Sequence, residues 1–146
     1  MSPQHPIYAV LALIVLAFGQ TRASASEYLN LGEHTIYATA LSSMLIPPEV
    51  AQIHGIVRST QRIVVNVTVL KADQPTTASV SGTSTNLLGQ QLDLDFTEIQ
   101  ERTAIYYLAS IITNAKDMSR FHLYILPEGA REAGAIRFER SYYPTH

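Results

Sequence analysis

The stretch Arg62-Ile63-Val64-Val65-Asn66-Val67-Thr68-Val69-Leu70-Lys71 constrains the fold more than any other. Ile63, Val65, Val67 and Val69 fall on one side of an extended chain, and Arg62, Asn66 and Thr68 fall on the other. Side chains alternate with period two in a strand, so this is the pattern of a half-buried β-strand. Four β-branched residues on one face suit a pleated surface and crowd a helix. The stretch is expected to be a central strand with the remaining chain laid around it.

Other segments carry the same period. Tyr28–Leu31 and Glu33–Leu41 are extended candidates on either side of Gly32, with Ile36, Ala38 and Ala40 on one face and Tyr37 and Leu41 on the other. Thr76–Asn86 is extended and rich in Ser and Thr, with Gly82 a candidate bulge, and Leu88-Gly89-Gln90-Gln91 is the expected hairpin turn. Leu92, Leu94 and Phe96 alternate with Asp93 and Asp95. Three segments close the chain: Ala104–Ile111, with Ile105, Tyr107, Ala109 and Ile111 on one face; Arg120–Leu126, with Phe121, Leu123 and Ile125 inward; and Gly134–Tyr143, with Ile136 and Phe138 inward. Leu126-Pro127-Glu128-Gly129 suits a type I turn. The one helical signal is Pro47–His54. Proline opens it, Glu49 lies in its first turn, Gly55 follows it, and Val50 and Ile53 are placed to face the core.

Seven or eight short strands at roughly ten-residue spacing argue an antiparallel β-sandwich or barrel. The reading taken is a single all-β domain: an antiparallel immunoglobulin-like β-sandwich with one short helix near residues 47–54. Its expected core is Ile63, Val65, Val67, Val69, Leu92, Leu94, Phe96, Ile105, Tyr107, Phe121, Leu123, Ile125, Ile136 and Phe138.

Residues 1–25 read as a separate segment. Ile7–Phe18 is an unbroken apolar run of twelve residues, short of the roughly 20 needed to span a bilayer. Ala23-Ser24-Ala25 follows, a small-x-small cleavage pattern. The expectation is a secretory signal peptide cleaved after Ala25, leaving residues 26–146 as a periplasmic domain that does not touch the membrane. Without the leader the chain holds nine Lys and Arg against twelve Asp and Glu. No basic balance draws it to nucleic acid. It has no cysteine, so packing and the sheet ladder must hold the fold without disulfides.

No local catalytic pattern is present: no H-E-x-x-H, no G-x-S-x-G, no phosphate loop and no dinucleotide fingerprint. An enzyme is therefore not expected, nor a cofactor. His34, His54, His122 and His146 are spaced too widely to form a local metal site. A soft copper or zinc site would have to be assembled from distant histidines together with Met44 and Met118, and that is the alternative functional reading. Asp93 and Asp95 share one face of a strand and read as a solvated surface. Asn66-Val67-Thr68 matches a glycosylation sequon but lies in the expected central strand. The lead reading is a non-catalytic binding module for a protein, peptide or small polar ligand. If the last three strands form a meander, alternation turns Tyr106, His122, Tyr124, Arg137 and Glu139 outward together. Tyr and Arg are enriched at binding hot spots.

Five stretches taken together resemble a known family: Leu45-Ile46-Pro47-Pro48-Glu49-Val50-Ala51, Gly55-Ile56-Val57-Arg58-Ser59, Asn66-Val67-Thr68-Val69-Leu70-Lys71, Thr85-Asn86-Leu87-Leu88-Gly89-Gln90 and Ala104-Ile105-Tyr106-Tyr107-Leu108. The chain resembles an exported proteobacterial family, domain of unknown function 4426. The resemblance implies a Gram-negative periplasmic protein with a compact β-sandwich. It implies no activity and no catalytic residues. Its polar motif residues here are Arg58, Asn66, Asn86 and Glu98, which buried hydrogen bonding explains as well as binding does.

Overall fold

Strand β3 (Arg62–Lys71) lies in the middle of its sheet. In this computed structural model, which describes residues 27–113 and 117–142, β3 is flanked by β2 (His34–Ser42) and β8 (Ile105–Ile112). β1 (Glu27–Leu31) extends the sheet beyond β2 and β7 (Thr97–Gln100) beyond β8. β4 (Gln74–Pro75) adds two residues to the end of β3. Ala72 and Asp73 make the tight turn between β3 and β4, both at positive φ (47° and 64°) as a type I′ hairpin requires. The second sheet runs β10 (Gly134–Tyr142), β9 (Asp117–Pro127), β5 (Ala78–Thr85), β6 (Gln91–Asp93). Every pairing is antiparallel. A six-stranded and a four-stranded sheet packed face to face make the expected all-β sandwich. Ten strands replace the expected seven or eight because β4 and β6 are two- and three-residue pairings.

The core lies between the sheets. Ile36, Ala38, Ile63, Val65, Val67 and Val69 from one side meet Phe121, Leu123, Ile125, Ile136 and Phe138 from the other. Phe121 and Phe138 stack with ring centroids 5.0 Å apart. Tyr107 ties the layers with its hydroxyl, which accepts from Ala78 N–H at 2.8 Å and donates to Glu98 Oε1 at 2.6 Å. Burial and that donated bond push the phenol up to about 12, so it stays protonated in ordinary buffers.

The helix α1 (Pro48–Ile53) is preceded by a 3-10 turn at Ser43–Leu45. Proline opens α1 and Gly55 follows it at φ 66°, as its punctuation implies. It buries Val50 and Ala51, whereas Ile53 is 54% exposed. The inward face of the helix passes through Val50 and Ala51 rather than Val50 and Ile53. Beneath it a second apolar cluster forms from Leu41, Ile46, Val64 and Tyr106. This cluster lies on the outer face of the six-stranded sheet.

Three other expectations change. The last three strands are not a meander. β8 pairs with β3 and β7, while β9 pairs with β10 and β5, so the chain changes sheets after β8. The Leu92–Glu98 alternation is not one strand. β6 ends at Asp93 in one sheet and β7 begins at Thr97 in the other. Leu94 is buried and Phe96 packs on the core as the chain crosses, but Leu92, on a three-residue edge strand, is 52% exposed. Gly82 is not a bulge, since β5 pairs with β9 in unbroken register. A side chain there would collide, because a Cβ on Gly82 would lie 2.6 Å from His122 O and 2.8 Å from Leu123 Cδ2. The expected signal peptide, residues 1–25, and His146 lie outside the described residues. Among those described, no helix is long and apolar enough to cross a membrane.

Candidate functional site

On β9 the inner residues Phe121, Leu123 and Ile125 are buried, so Arg120, His122 and Tyr124 face outward. Register sets Arg137 of β10 opposite His122 and Glu139 opposite Arg120. On the other flank β5 sets Thr83 opposite His122 and Ser81 opposite Tyr124. Arg137 Nε donates to His122 Nε2 at 3.0 Å. Accepting that bond leaves Nε2 without a proton, so the neutral ring carries its hydrogen on Nδ1. Nδ1 lies 3.3 Å from the Tyr124 hydroxyl, and the two rings are 4.4 Å apart between centroids. Arg120 Nε donates to Glu139 Oε1 at 2.8 Å. That pair is exposed and contributes at most about 1 kcal/mol.

The structure therefore brings His122, Tyr124, Arg137 and Glu139 together on one outer sheet face and sets Tyr106 apart from them. Tyr106 is 3% exposed, on the other sheet, under α1. Its phenol is pushed up to about 12 by burial, reinforced by the nearby Glu101 carboxylate. The two tyrosines read alike in the sequence because both alternate with apolar neighbours. Only Tyr106 lies where a helix covers the sheet.

Chemically, the patch presents an aromatic edge, the hydroxyls of Ser81 and Thr83, and a guanidinium held in place through its Nε. Arg137 makes no other bond among the described residues. Its remaining N–H groups suit a carboxylate or carbonyl acceptor. His122 is engaged at Nε2 by the Arg137 guanidinium and at Nδ1 by the Tyr124 hydroxyl.

The other polar residues divide. Asn86 Oδ1 accepts from Leu88 N–H at 3.0 Å and Gln90 N–H at 2.9 Å, and its Nδ2 donates to Gln90 Oε1 at 2.7 Å. This fixes the β5–β6 loop, which Gly89 closes at φ 78°. Glu98 accepts from Tyr107 as described. Arg58 is exposed and donates to Met44 O at 3.1 Å. Asn66 is buried, but its Oδ1 has no partner among the described residues.

One pair had no sequence signal. His54 Nε2 lies 3.2 Å from Glu101 Oε1, with side chains 12% and 3% exposed. It joins the C-terminal end of α1 to the turn between β7 and β8. Burial holds the Glu101 carboxyl above its ordinary value, opposed by the His54 ring. The partners are 47 positions apart in irregular segments, and no spacing rule connects such residues. The other described histidines do not join them: His34 is buried at the start of β2, and His122 belongs to the outer patch. Met44 is exposed within the 3-10 turn. Among the described residues no three His, Cys, Asp or Glu side chains form a group that could hold a metal.

Comparison with known proteins places this architecture. No protein of curated function matches the sequence. The fold is similar to the crystal structure of a DUF4426 family protein from Pseudomonas aeruginosa PAO1, with 26% identity, a TM-score of 0.73, and coverage of 83% of this chain and 97% of that one. It is also similar to FetP of uropathogenic Escherichia coli strain F11, recombinantly expressed in the periplasm, with 12% identity, a TM-score of 0.56, and coverage of 84% and 97%. A copper-bound variant of FetP superposes equally, at 12% identity, a TM-score of 0.56, and coverage of 84% and 93%. At that identity the likeness is one of fold. Residues 28–145 match the family described as domain of unknown function (DUF4426), and the chain belongs to that family.

Proposed function

We propose that this chain is an exported, non-catalytic binding module whose contact surface is the outer face of the four-stranded sheet. The observation that carries the reading is the line Arg137–His122–Tyr124. It is a bonded polar and aromatic row on paired strands, half open to solvent and covered by no other element among the described residues. A surface already held in one geometry binds without the cost of ordering its side chains. The favoured ligand is a polar peptide or small polar molecule with an acceptor for Arg137. Two features support a periplasmic location. The first 25 residues have the layout of a cleavable leader, and FetP, which shares the fold, was expressed in the periplasm. Mass spectrometry of the periplasmic fraction checks this: a chain beginning at Ser26 is expected, and an intact Met1 in the membrane pellet would contradict it. The binding reading is tested by replacing Tyr124 and Arg137 together with Ser. The variant should melt like the wild type and lose whatever the wild type retains on crosslinking in the cell.

A copper or zinc reading stands second, and the copper-bound FetP variant is the observation that favours it. It needs His34, His54, His122, Met44 or Met118 to be drawn together from separate elements. Calorimetry with each metal separates the readings, and stoichiometric sub-micromolar binding would reverse their order.

A further inference from the structure

At the end of the sandwich that carries the β5–β6 loop, the two sheets part. A cavity of about 320 Å³ opens there, at the small end of the range in which ordinary ligand pockets fall. Its cause is visible in the sequence. Inner positions farther along β5 and β9 carry Val80, Phe121, Leu123 and Ile125 as well as the small Ala78 and Gly82, and Ser84 and Ser119 lie at this end. These serines are 4% and 2% exposed, and both line the cavity. Neither hydroxyl makes a hydrogen bond among the described residues. Both line the opening, so their hydroxyls are free to bond whatever enters it.

The polarity is ordered. The floor is hydroxylic, from Ser84, Ser119 and Thr113. The walls and rim are apolar, with Ile111 inside and Leu92 and Ile112 exposed by 52% and 62%. The loop that frames the rim also carries Leu87 and Leu88, exposed by 61% and 80%. Asn86 pins that loop from within, so the rim is preformed. Gln90 accepts from Asn86 through Oε1, which leaves its amide N–H groups to donate. Among the described residues, no Asp, Glu, Lys, Arg or His lines the cavity.

We propose that this end of the sandwich is a binding site for a small uncharged amphiphile, its hydroxyl or amide head on Ser84 and Ser119 and its apolar body against Leu92 and Ile112. A charged head would lie unpaired beside neutral walls, and a wholly apolar ligand would leave the serines unbonded. The site lies on the inner side of the strands whose outer side carries the Arg137–His122–Tyr124 row, and it does not depend on that reading.

The test uses the protein purified in the form the cell exports and four probes with one six-carbon chain: hexanol, hexanamide, hexanoate and hexylammonium. Amide chemical shifts are followed during titration. Hexanol and hexanamide should saturate, with shifts confined to the surroundings of Ser84, Leu92, Ile112 and Ser119. The two ions should bind about tenfold more weakly or worse, the penalty of an unpaired charge in a neutral site. Ser119→Leu should fill the floor and abolish saturation. Because that change could disturb folding, Leu92→Ser at the exposed rim is the second arm. It should leave the melting curve unchanged and weaken both neutral probes. Equal binding of charged and neutral probes, shifts scattered over the sheets, or undiminished binding by folded Leu92→Ser would each overturn the site.

Discussion

Tyr106 and Tyr124 occupy outward positions on the two sheets, and their surroundings are opposite. Tyr106 is 3% exposed, under α1 with Leu41, Val50 and Val64 around it. Tyr124 is 45% exposed, beside His122, with no described element above it. The six-stranded sheet is apolar on both faces near α1 and therefore has two cores. The four-stranded sheet has one apolar face and one bare polar face. Alternation states which residues share a side of a strand. It does not state whether that side is solvated, which depends on whether another part of the chain lies over it.

The comparison can be broken most directly by truncation. Tyr106→Ala should cost about 3–5 kcal/mol, the range for a buried aromatic, while Tyr124→Ala should stay within about 0.5 kcal/mol. Urea melts of the two variants read this difference, and equal losses would show that the two faces are not distinct. Val67→Ala, in the core common to both sheets, should cost about 1–3 kcal/mol. Tyr107→Phe should cost about 1–2 kcal/mol in the same melts, because it leaves Ala78 N–H and Glu98 without their shared partner.

The smallest effect belongs to the clamp on α1. Burial raises the Glu101 carboxyl above 4.5. A group raised in the folded state stabilises it fully below the unfolded value and loses that contribution as pH rises through the folded value. Glu101→Gln removes this titration and keeps an uncharged side chain. The stability of the wild type relative to the variant should therefore fall as pH rises above about 4.5, the ordinary carboxyl value. A difference that stays flat in melts across that range would place Glu101 in water.

Much of the fold was legible in the residues because its signals are local. β3 carries four β-branched residues at period two, and Pro48 and Gly55 bracket α1. What was not legible depends on distant partners. β8 reads as a neighbour of β9 in the chain, yet it pairs with β3, and nothing within Ile105–Ile112 encodes that choice. The Leu92–Phe96 alternation continues unbroken while the chain leaves one sheet for the other, so Leu92 was assigned to a core it does not enter. The lid over Tyr106 did leave a trace. Leu41, Val64 and Leu108 are apolar on the side of their strands that faces away from the main core, a second apolar face that asks for a cover. The His54–Glu101 contact left none. In the candidate patch, His122, Tyr124, Arg137 and Glu139 follow from alternation on β9 and β10, and Tyr106 fails because β8 belongs elsewhere.

The central claim is that the bare face of the four-stranded sheet makes contacts in the cell and the helix-covered face does not. A photoreactive residue placed at Ala135, exposed on β10 opposite Tyr124, and another at Gln52, exposed on α1, test it in one experiment. Irradiation in the living cell should give a discrete adduct from Ala135 and none from Gln52. The Ala135 adduct should disappear when Tyr124 and Arg137 are both Ser in a chain that still melts normally. An adduct from Gln52 with none from Ala135, or an Ala135 adduct unchanged in the folded double variant, would contradict the account.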